Sequence, residues 1–177
     1  MAKPFIGIKK LWYGPVLTAN LASVADITAL IATFTEIKNV HDGTWGYSHD
    51  DPSVTDYINE LTGQPYYRDK TTLGARTINF TLGVYEFQQK ADLQGGAVIK
   101  DAQENELGWK SSGALENVNK ALIAQTKTGN YIVFSNASIV AKGDQQEKNI
   151  GLGITAVCME NETEGVEAEY MFNAVSA

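Results

Sequence analysis

The chain has 177 residues, 44% of them hydrophobic, and carries a formal net charge of −7. This length and apolar content predict one folded domain, 1–177, and exclude a disordered polymer. The negative charge repels phosphate backbones and therefore excludes tight binding of duplex DNA through charge attraction.

Cysteine content and hydropathy further limit the classes of protein to which the chain can belong. Cys158 is the only cysteine, which excludes an intramolecular disulfide and a cysteine-type metal cluster. Because it lies in an apolar run, we expect a buried and inert thiol. No stretch approaches the roughly 20 apolar residues of a membrane span, so we expect a soluble protein with no membrane partner, and a reducing cytosol is favoured.

The first third of the chain gives weak signals. Residues 4–13 form a short β-rich run that ends at Gly14-Pro15, and residues 18–25 are typical of a loop. Residues 26–32 fit either a short helix capped by Asp26 or an extended arm. We therefore expect the N-terminal segment 1–33 to be irregular in part.

The next segment combines turn signals with polar composition. Asp42-Gly43 is a strong hairpin dipeptide and predicts a hairpin over residues 34–47. Residues 54–67 have helical spacing in part, but their Thr, Tyr, Ile and Val content favours an extended structure. The region 39–76 is too polar for a core, so it is predicted as a projecting loop or arm.

The middle of the chain contains the clearest single strand. Residues 77–87 alternate apolar with polar side chains, which indicates a sheet with one buried face. Residues 88–94 then predict a two-turn helix stopped by Gly95-Gly96. Residues 97–100 are read as a strand, and residues 103–108 as a polar loop.

Three β-rich runs dominate the last third: 118–126, 131–141 and 148–158. Polar turns containing glycine separate them, which predicts a β-meander. Alternation over residues 166–172 predicts a last strand. The chain is therefore expected to be mainly β, with antiparallel sheets and one convincing helix.

No catalytic pattern is visible. His41 and His49 lie beside aspartates, but in a predicted loop and without the spacing of a metal site. Gly151 and Gly153 lie within a strand, so they form no phosphate loop and are expected to allow close approach of another backbone or side chain. We predict a protein that is not an enzyme and that has no cofactor and no metal.

Aromatic residues leave a binding function open. Trp12, Trp45, Trp109 and many of the eight tyrosines fit either core and protein-interface packing or the binding face of a carbohydrate-binding β-sandwich. The interface or core interpretation is favoured.

The run TKTGNYIVFSNASIVAKGDQQEKNIGLGITAVCMEN resembles the end of bacteriophage tail tube (major tail) proteins. In that family a hairpin strand leads to a phrase like FSNASIV, followed by a charged turn and a strand like residues 150–157. The strand, short helix and Gly-Gly of residues 77–96 fit the same pattern, as does the polar arm after Val40. Together these matches cover residues 34–161.

This resemblance implies two antiparallel sheets in a split β-barrel or sandwich with one short flanking α-helix. It also implies subunits that form hexameric rings and stacked tubes, contact other tail proteins, and let DNA pass a negatively lined lumen without specific binding. The protein would then lie in the virion tail after assembly in the bacterial host cytoplasm. Type VI secretion tube proteins have a similar fold and are the alternative.

Within that interpretation, seven residues are the candidates for contacts between subunits or rings. They are aromatic residues of the predicted projecting segment 39–76 and two glycines of the last long strand: Trp45, Tyr47, Tyr57, Tyr66, Tyr67, Gly151 and Gly153.

Overall fold

The structure is a computed structural model that describes residues 3–174. Its helices are α1 (Val24–Ile31) and α2 (Phe87–Gln94). Its strands are β1 (Lys10–Gly14), β2 (Thr35–Ile37), β3 (Gly46–His49), β4 (Ser53–Ile58), β5 (Pro65–Thr72), β6 (Arg76–Leu82), β7 (Ala97–Lys100), β8 (Glu106–Lys110), β9 (Val118–Gln125), β10 (Tyr131–Gln146), β11 (Asn149–Cys158) and β12 (Glu169–Phe172).

Eight strands form one antiparallel sheet in the order β2-β1-β9-β10-β11-β6-β3, with β12 added beside the first part of β10. The other four strands form two separate hairpins, β4–β5 and β7–β8. The predicted mainly β fold with antiparallel sheets is confirmed. A closed barrel is not seen among residues 3–174, because β2 and β3 do not pair with each other.

Strand β10 is the longest element and has three partners. Its first part pairs with β9 on one edge and β12 on the other, and its second part pairs with β11. The register against β9 shifts between Phe134 and Ala137, so Ser135 and Asn136 form a bulge. A bulge of this kind bends a strand and increases its twist.

The sheet has an apolar cluster on each face. The first cluster takes residues from both ends of the sheet, since Ile37 of β2 lies in it and Tyr47 of β3 packs against it, together with Leu93 of α2. The sheet therefore curves around this cluster. The second cluster lies on the opposite face of β1, β9 and β10, where Ile27 of α1 packs near Trp12. The alternation of β9 supplies both clusters from one strand.

Helix α2 packs beside the first cluster and holds the β7–β8 hairpin. The Trp109 indole N–H donates to the Gly95 carbonyl at 2.9 Å, and the Lys90 ammonium lies 4.3 Å from the centre of the Trp109 ring. The Tyr13 hydroxyl donates to Asp92 of the helix at 2.8 Å. The predicted helix thus flanks the sheet, and it begins one residue earlier than expected.

Within the N-terminal segment 1–33, strand β1 and helix α1 are regular, and residues 3–9 and 15–23 form neither a helix nor a strand. Helix α1 resolves the ambiguity at residues 26–32 in favour of a helix. Asp26 is its third residue, and its carboxylate accepts the N–H groups of Ala22 and Ser23 at 2.9 and 2.8 Å. These hydrogen bonds hold the pKa of Asp26 below its usual value. Residues 3–174 therefore contain two helices, and not the one predicted.

The hairpin predicted around Asp42-Gly43 is wrong. Strand β2 pairs with β1, and β3 pairs with β6, so the two strands beside this turn are the opposite ends of the sheet. The turn signal itself is real, since Gly43 has a φ of 75°. Its flanking strands pair elsewhere in the chain, and in those positions Ile37 of β2 and Tyr47 of β3 both pack in or against the first apolar cluster.

The other predicted elements are found. The three runs of the meander correspond to β9, β10 and β11, although β10 continues through the predicted polar turn to Gln146. The last strand is β12, and the extended structure favoured for residues 54–67 is the β4–β5 hairpin. The predicted loop 103–108 is shorter than expected, because β8 begins at Glu106. Neither helix of the described part is long and apolar enough to cross a membrane.

Asn130 joins both ends of the described chain. Its side-chain amide donates to the Lys3 carbonyl at 2.7 Å, and its side-chain carbonyl accepts the Ala174 N–H at 2.8 Å. Its own N–H donates to the Thr126 hydroxyl at 3.0 Å. Asn130 is fully buried, so loss of these bonds would leave polar groups without partners.

We expect Asn130→Ala to lower the free energy of unfolding by about 2–3 kcal/mol, because a buried side chain with several hydrogen bonds is removed. Urea denaturation followed by tryptophan fluorescence measures this change. The control is Asn117→Ala in an exposed loop, which should change stability by less than about 0.5 kcal/mol. Equal effects of the two variants would contradict the role of Asn130.

Candidate interaction surface

The β4–β5 hairpin, residues 53–72, is the part of the predicted segment 39–76 that projects from the sheet, and it forms the arm. It continues the pairing of β3 with β6, since His49 lies opposite Arg76 and the Asp50 N–H donates to the Ala75 carbonyl at 2.9 Å. One long antiparallel ribbon therefore starts in the sheet and ends in the arm. This arrangement places the arm within the segment 39–76.

Almost every residue of the arm is exposed on both faces of the hairpin. All six residues of β4 and seven of the eight in β5 are exposed, and the two strands pack chiefly on each other. The arm nevertheless carries large apolar side chains, of which Leu61 is 95% and Tyr66 69% exposed. A two-stranded hairpin is only marginally stable in water, and clustered exposed apolar residues mark interaction surfaces.

Cross-strand pairs give the arm its register. Tyr57 lies opposite Tyr67, with ring centroids 5.7 Å apart, and Asp56 lies opposite Arg68. The Arg68 guanidinium donates to both oxygens of the Asp56 carboxylate, one at 2.8 Å. This ion pair holds the pKa of the Asp56 carboxyl below its usual value. Aromatic and charged pairs of this type stabilise a defined strand register.

The five aromatic residues predicted as contacts divide between two places. Tyr57, Tyr66 and Tyr67 lie on the arm and are exposed. Trp45 and Tyr47 instead pack against the first apolar cluster. The geometry therefore brings only the three tyrosines together on one projecting surface.

Tyr47 takes part in a partly buried network. Its hydroxyl donates to Glu169 at 2.8 Å, and the Arg76 guanidinium donates to the other oxygen of Glu169 at 3.0 Å. Burial and the Glu169 carboxylate both raise the pKa of Tyr47. The network joins β3, β6 and β12, and so it fixes the base from which the ribbon leaves the sheet.

The two predicted glycines approach groups of their own chain. A Cβ at Gly151 would lie 2.5 Å from the Leu82 carbonyl oxygen, and one at Gly153 would lie 2.9 Å from the Cβ of Asp144. The expected close approach of a backbone or side chain is thus found within the subunit. Whether these glycines also contact a neighbour stays a prediction.

Part of the second face of the sheet lies outside both apolar clusters and is mainly polar. This polar face is formed by the outward residues of β11, β6 and the second part of β10, such as Ser138, Thr155 and Asn79. Asp144 on this face accepts hydrogen bonds from Gln146 at 2.6 Å and Thr81 at 2.8 Å, which hold its pKa below the usual value. The face therefore presents hydroxyl, amide and charged groups to solvent, together with the exposed side chain of Val140.

Sequence reasoning missed four exposed apolar residues of the arm and its base: Val54, Ile58, Leu61 and Leu73. Aromatic side chains are the expected anchors of an interface, so aliphatic residues were not among the candidates. The sequence did contain a signal for these residues, because aliphatic side chains in a polar, turn-rich segment have no core to fill and are therefore expected to be exposed.

The three tryptophans do not form a common platform. Trp12 is buried in the second cluster, Trp45 packs against the first, and one face of Trp109 meets Lys90. The Asn161 side chain is buried, and its amide nitrogen donates to the Leu17 carbonyl at 2.9 Å. No group of three potential metal ligands occurs among residues 3–174.

Comparison with protein-family models and with characterised proteins gives no match to the chain.

Cys158 lies half-buried at the end of β11, where its thiol contacts the Ala168 carbonyl at 3.4 Å. Burial raises the pKa of this thiol to about 11, from a usual value of 9.0. The thiolate is the reactive form of cysteine, so a raised pKa lowers reactivity at neutral pH.

At pH 8 we expect Cys158 to react with a thiol reagent such as DTNB about 100-fold more slowly in the folded protein than in urea, because two pKa units reduce the thiolate fraction by this factor. The rate should rise about tenfold for each pH unit up to the pKa near 11. Absorbance of the released thiolate measures both rates. Equal rates with and without urea would show that burial does not protect the thiol.

Proposed function

We propose that the protein is a structural subunit of a bacteriophage tail tube that self-assembles into hexameric rings and stacked tubes through which DNA passes. The carrying observation is the arm, which projects from the sheet with apolar side chains exposed on both of its faces. Clustered exposed apolar side chains mark surfaces that another surface covers, and such cover adds stability to a hairpin that has only two strands.

The open ends of the sheet support self-assembly. The strand order begins at β2 and ends at β3, and each of these strands has a partner on one edge only. Unpaired edges invite pairing with another chain. Two different edges on one subunit favour a heterologous, head-to-tail contact, which closes into a ring when the rotation between subunits allows it.

The polar face of β10, β11 and β6 is suited to the inner surface of a water-filled tube. In the proposed tube this face lines the lumen, and the curved sheet with its flanking α2 corresponds to the split β-barrel of the tail tube family. The face carries one positive and one negative side chain, Lys142 and Asp144, so it offers no net positive charge that would hold DNA.

The two alternatives have different support. A type VI secretion tube would use the same arm, edges and polar face, so the geometry favours neither over the other. A carbohydrate-binding module receives less support, because Trp12, Trp45 and Trp109 lie apart and two of them pack in apolar clusters. We retain the phage tail tube because of the resemblance around residues 131–158.

We expect the purified protein to form rings or tubes, visible by negative-stain electron microscopy, as its concentration rises. Leu61→Ser in the arm should raise the concentration needed for assembly about 10- to 100-fold, since burial of a leucine contributes about 1.5–3 kcal/mol. Light scattering over a concentration series measures this shift.

Leu115→Ser is the matched control, because Leu115 is also fully exposed but lies outside the arm. This variant should assemble as the wild type does. Both variants should keep the wild-type melting temperature, since neither leucine packs in the core. A wild-type protein that stays monomeric at millimolar concentration would refute the proposed function.

A further inference from the structure

The base of the arm is the point where the regular strand pairing of the ribbon is interrupted. Pairing of β3 with β6 ends at His49 and Arg76, and pairing of β4 with β5 begins at Ser53 and Thr72. Between these two sections the Asp50 N–H donates a hydrogen bond to the Ala75 carbonyl. Pro52 has no N–H, so it cannot donate a further bond across the ribbon.

Gly74 lies at this point with its backbone against the opposite strand. A Cβ built on Gly74 would lie 1.6 Å from the Asp50 carbonyl oxygen and 2.4 Å from its carbonyl carbon. Both obstacles are backbone atoms, so no side-chain rotation relieves the clash. Any residue larger than glycine must push the two strands apart.

We propose that Gly74 is the positioning residue of the arm. The arm is then a preset lever, meaning a rigid projection whose direction relative to the sheet is fixed by the backbone contact of Gly74 with Asp50. The alternative is a flexible tether, in which the direction of the arm would not depend on residue 74. The direction of the arm is a property of the isolated subunit. Its effect on assembly rests on the proposed function.

The geometry sets the size of the effect. To reach 3.0 Å, the shortest separation that real Cβ atoms show, an alanine at position 74 must move at least about 1.4 Å from the Asp50 carbonyl oxygen, which lies 1.6 Å from the Cβ position. Across a ribbon about 4.8 Å wide, this displacement turns the arm by about 17°. The tip of the arm is about 25 Å from its base at about 3.3 Å per residue, so it should move by about 7 Å.

Distances between spin labels test the lever directly. One label is placed at the tip through Thr62→Cys and the other on the sheet through Lys142→Cys or Lys120→Cys, in a Cys158→Ser background. Samples are diluted into unlabelled protein so that only distances within one subunit are measured. The wild type should give narrow distributions in both pairs, and Gly74→Ala should shift at least one mean by about 7 Å.

Gly113→Ala is the control, since a Cβ there meets no atom within 4 Å. It should leave both distances unchanged. An unchanged distance in both pairs of Gly74→Ala would overturn the proposal. A distribution broader than about 15 Å in the labelled protein that keeps Gly74 would also overturn it, because it would show a flexible tether, and this outcome does not depend on whether Gly74→Ala folds.

Assembly provides the second readout and separates the two proposals. If the wild type forms rings, Gly74→Ala should need at least a tenfold higher concentration, while Gly113→Ala should behave as the wild type does. Normal assembly of Gly74→Ala would overturn its positioning role. If the wild type forms no rings, the proposed function fails, and the label distances still decide whether the arm is a preset lever.

Discussion

The bulge at Ser135 and Asn136 is the constraint on which the rest of this structure depends. It lies in the middle of β10, the strand that pairs with β9, β11 and β12. Both bulge residues are buried polar side chains, and their groups are bonded. The Ser135 N–H donates to Ala168, its carbonyl accepts the Leu17 N–H, and the Asn136 amide donates to the Glu160 carbonyl.

These bonds connect three distant parts of the chain. The bulge is bonded to the segment after β1 and to the loop before β12. It is also bonded to the start of β9, where the Asn119 amide donates to the Asn136 side-chain oxygen at 2.9 Å. Because buried polar groups are costly when left without partners, the bulge is stable only if all three segments are in place. The bend, the second apolar cluster and the curvature of the sheet thus form together.

Sequence patterns predicted the parts whose partners are near in the chain. Runs around β9, β10 and β11 are adjacent and joined by short turns, so alternation and turn residues were sufficient. Helix α2 carried its own stop signal in Gly95-Gly96. The fold class followed from these elements, because antiparallel meanders and one helix leave few other architectures.

Sequence patterns failed where partners are distant. The partners of β2 and β3 lie on β1 and β6, and no local signal at Asp42-Gly43 reports this. The extension of β10 to Gln146 was hidden by its polar residues, which lie on the solvent face or beyond the core. For the interaction surface, the arm was located by its polarity, but its aliphatic side chains and the contact of Gly74 with Asp50 depend on three-dimensional approach.

Asn130 has a consequence for protein engineering. Since its side chain bonds to both Lys3 and Ala174, these two residues lie within a few ångströms of one side chain. A short glycine-rich linker could join them, and the chain could be reopened at the tip of the arm near Gly63, where a Cβ meets no neighbour within 4 Å. Such a circular permutant would keep the strand pairing of the sheet while cutting the arm in two. The two strands of the arm would then lie at the two new chain ends, so folding of the sheet could be studied without an intact arm.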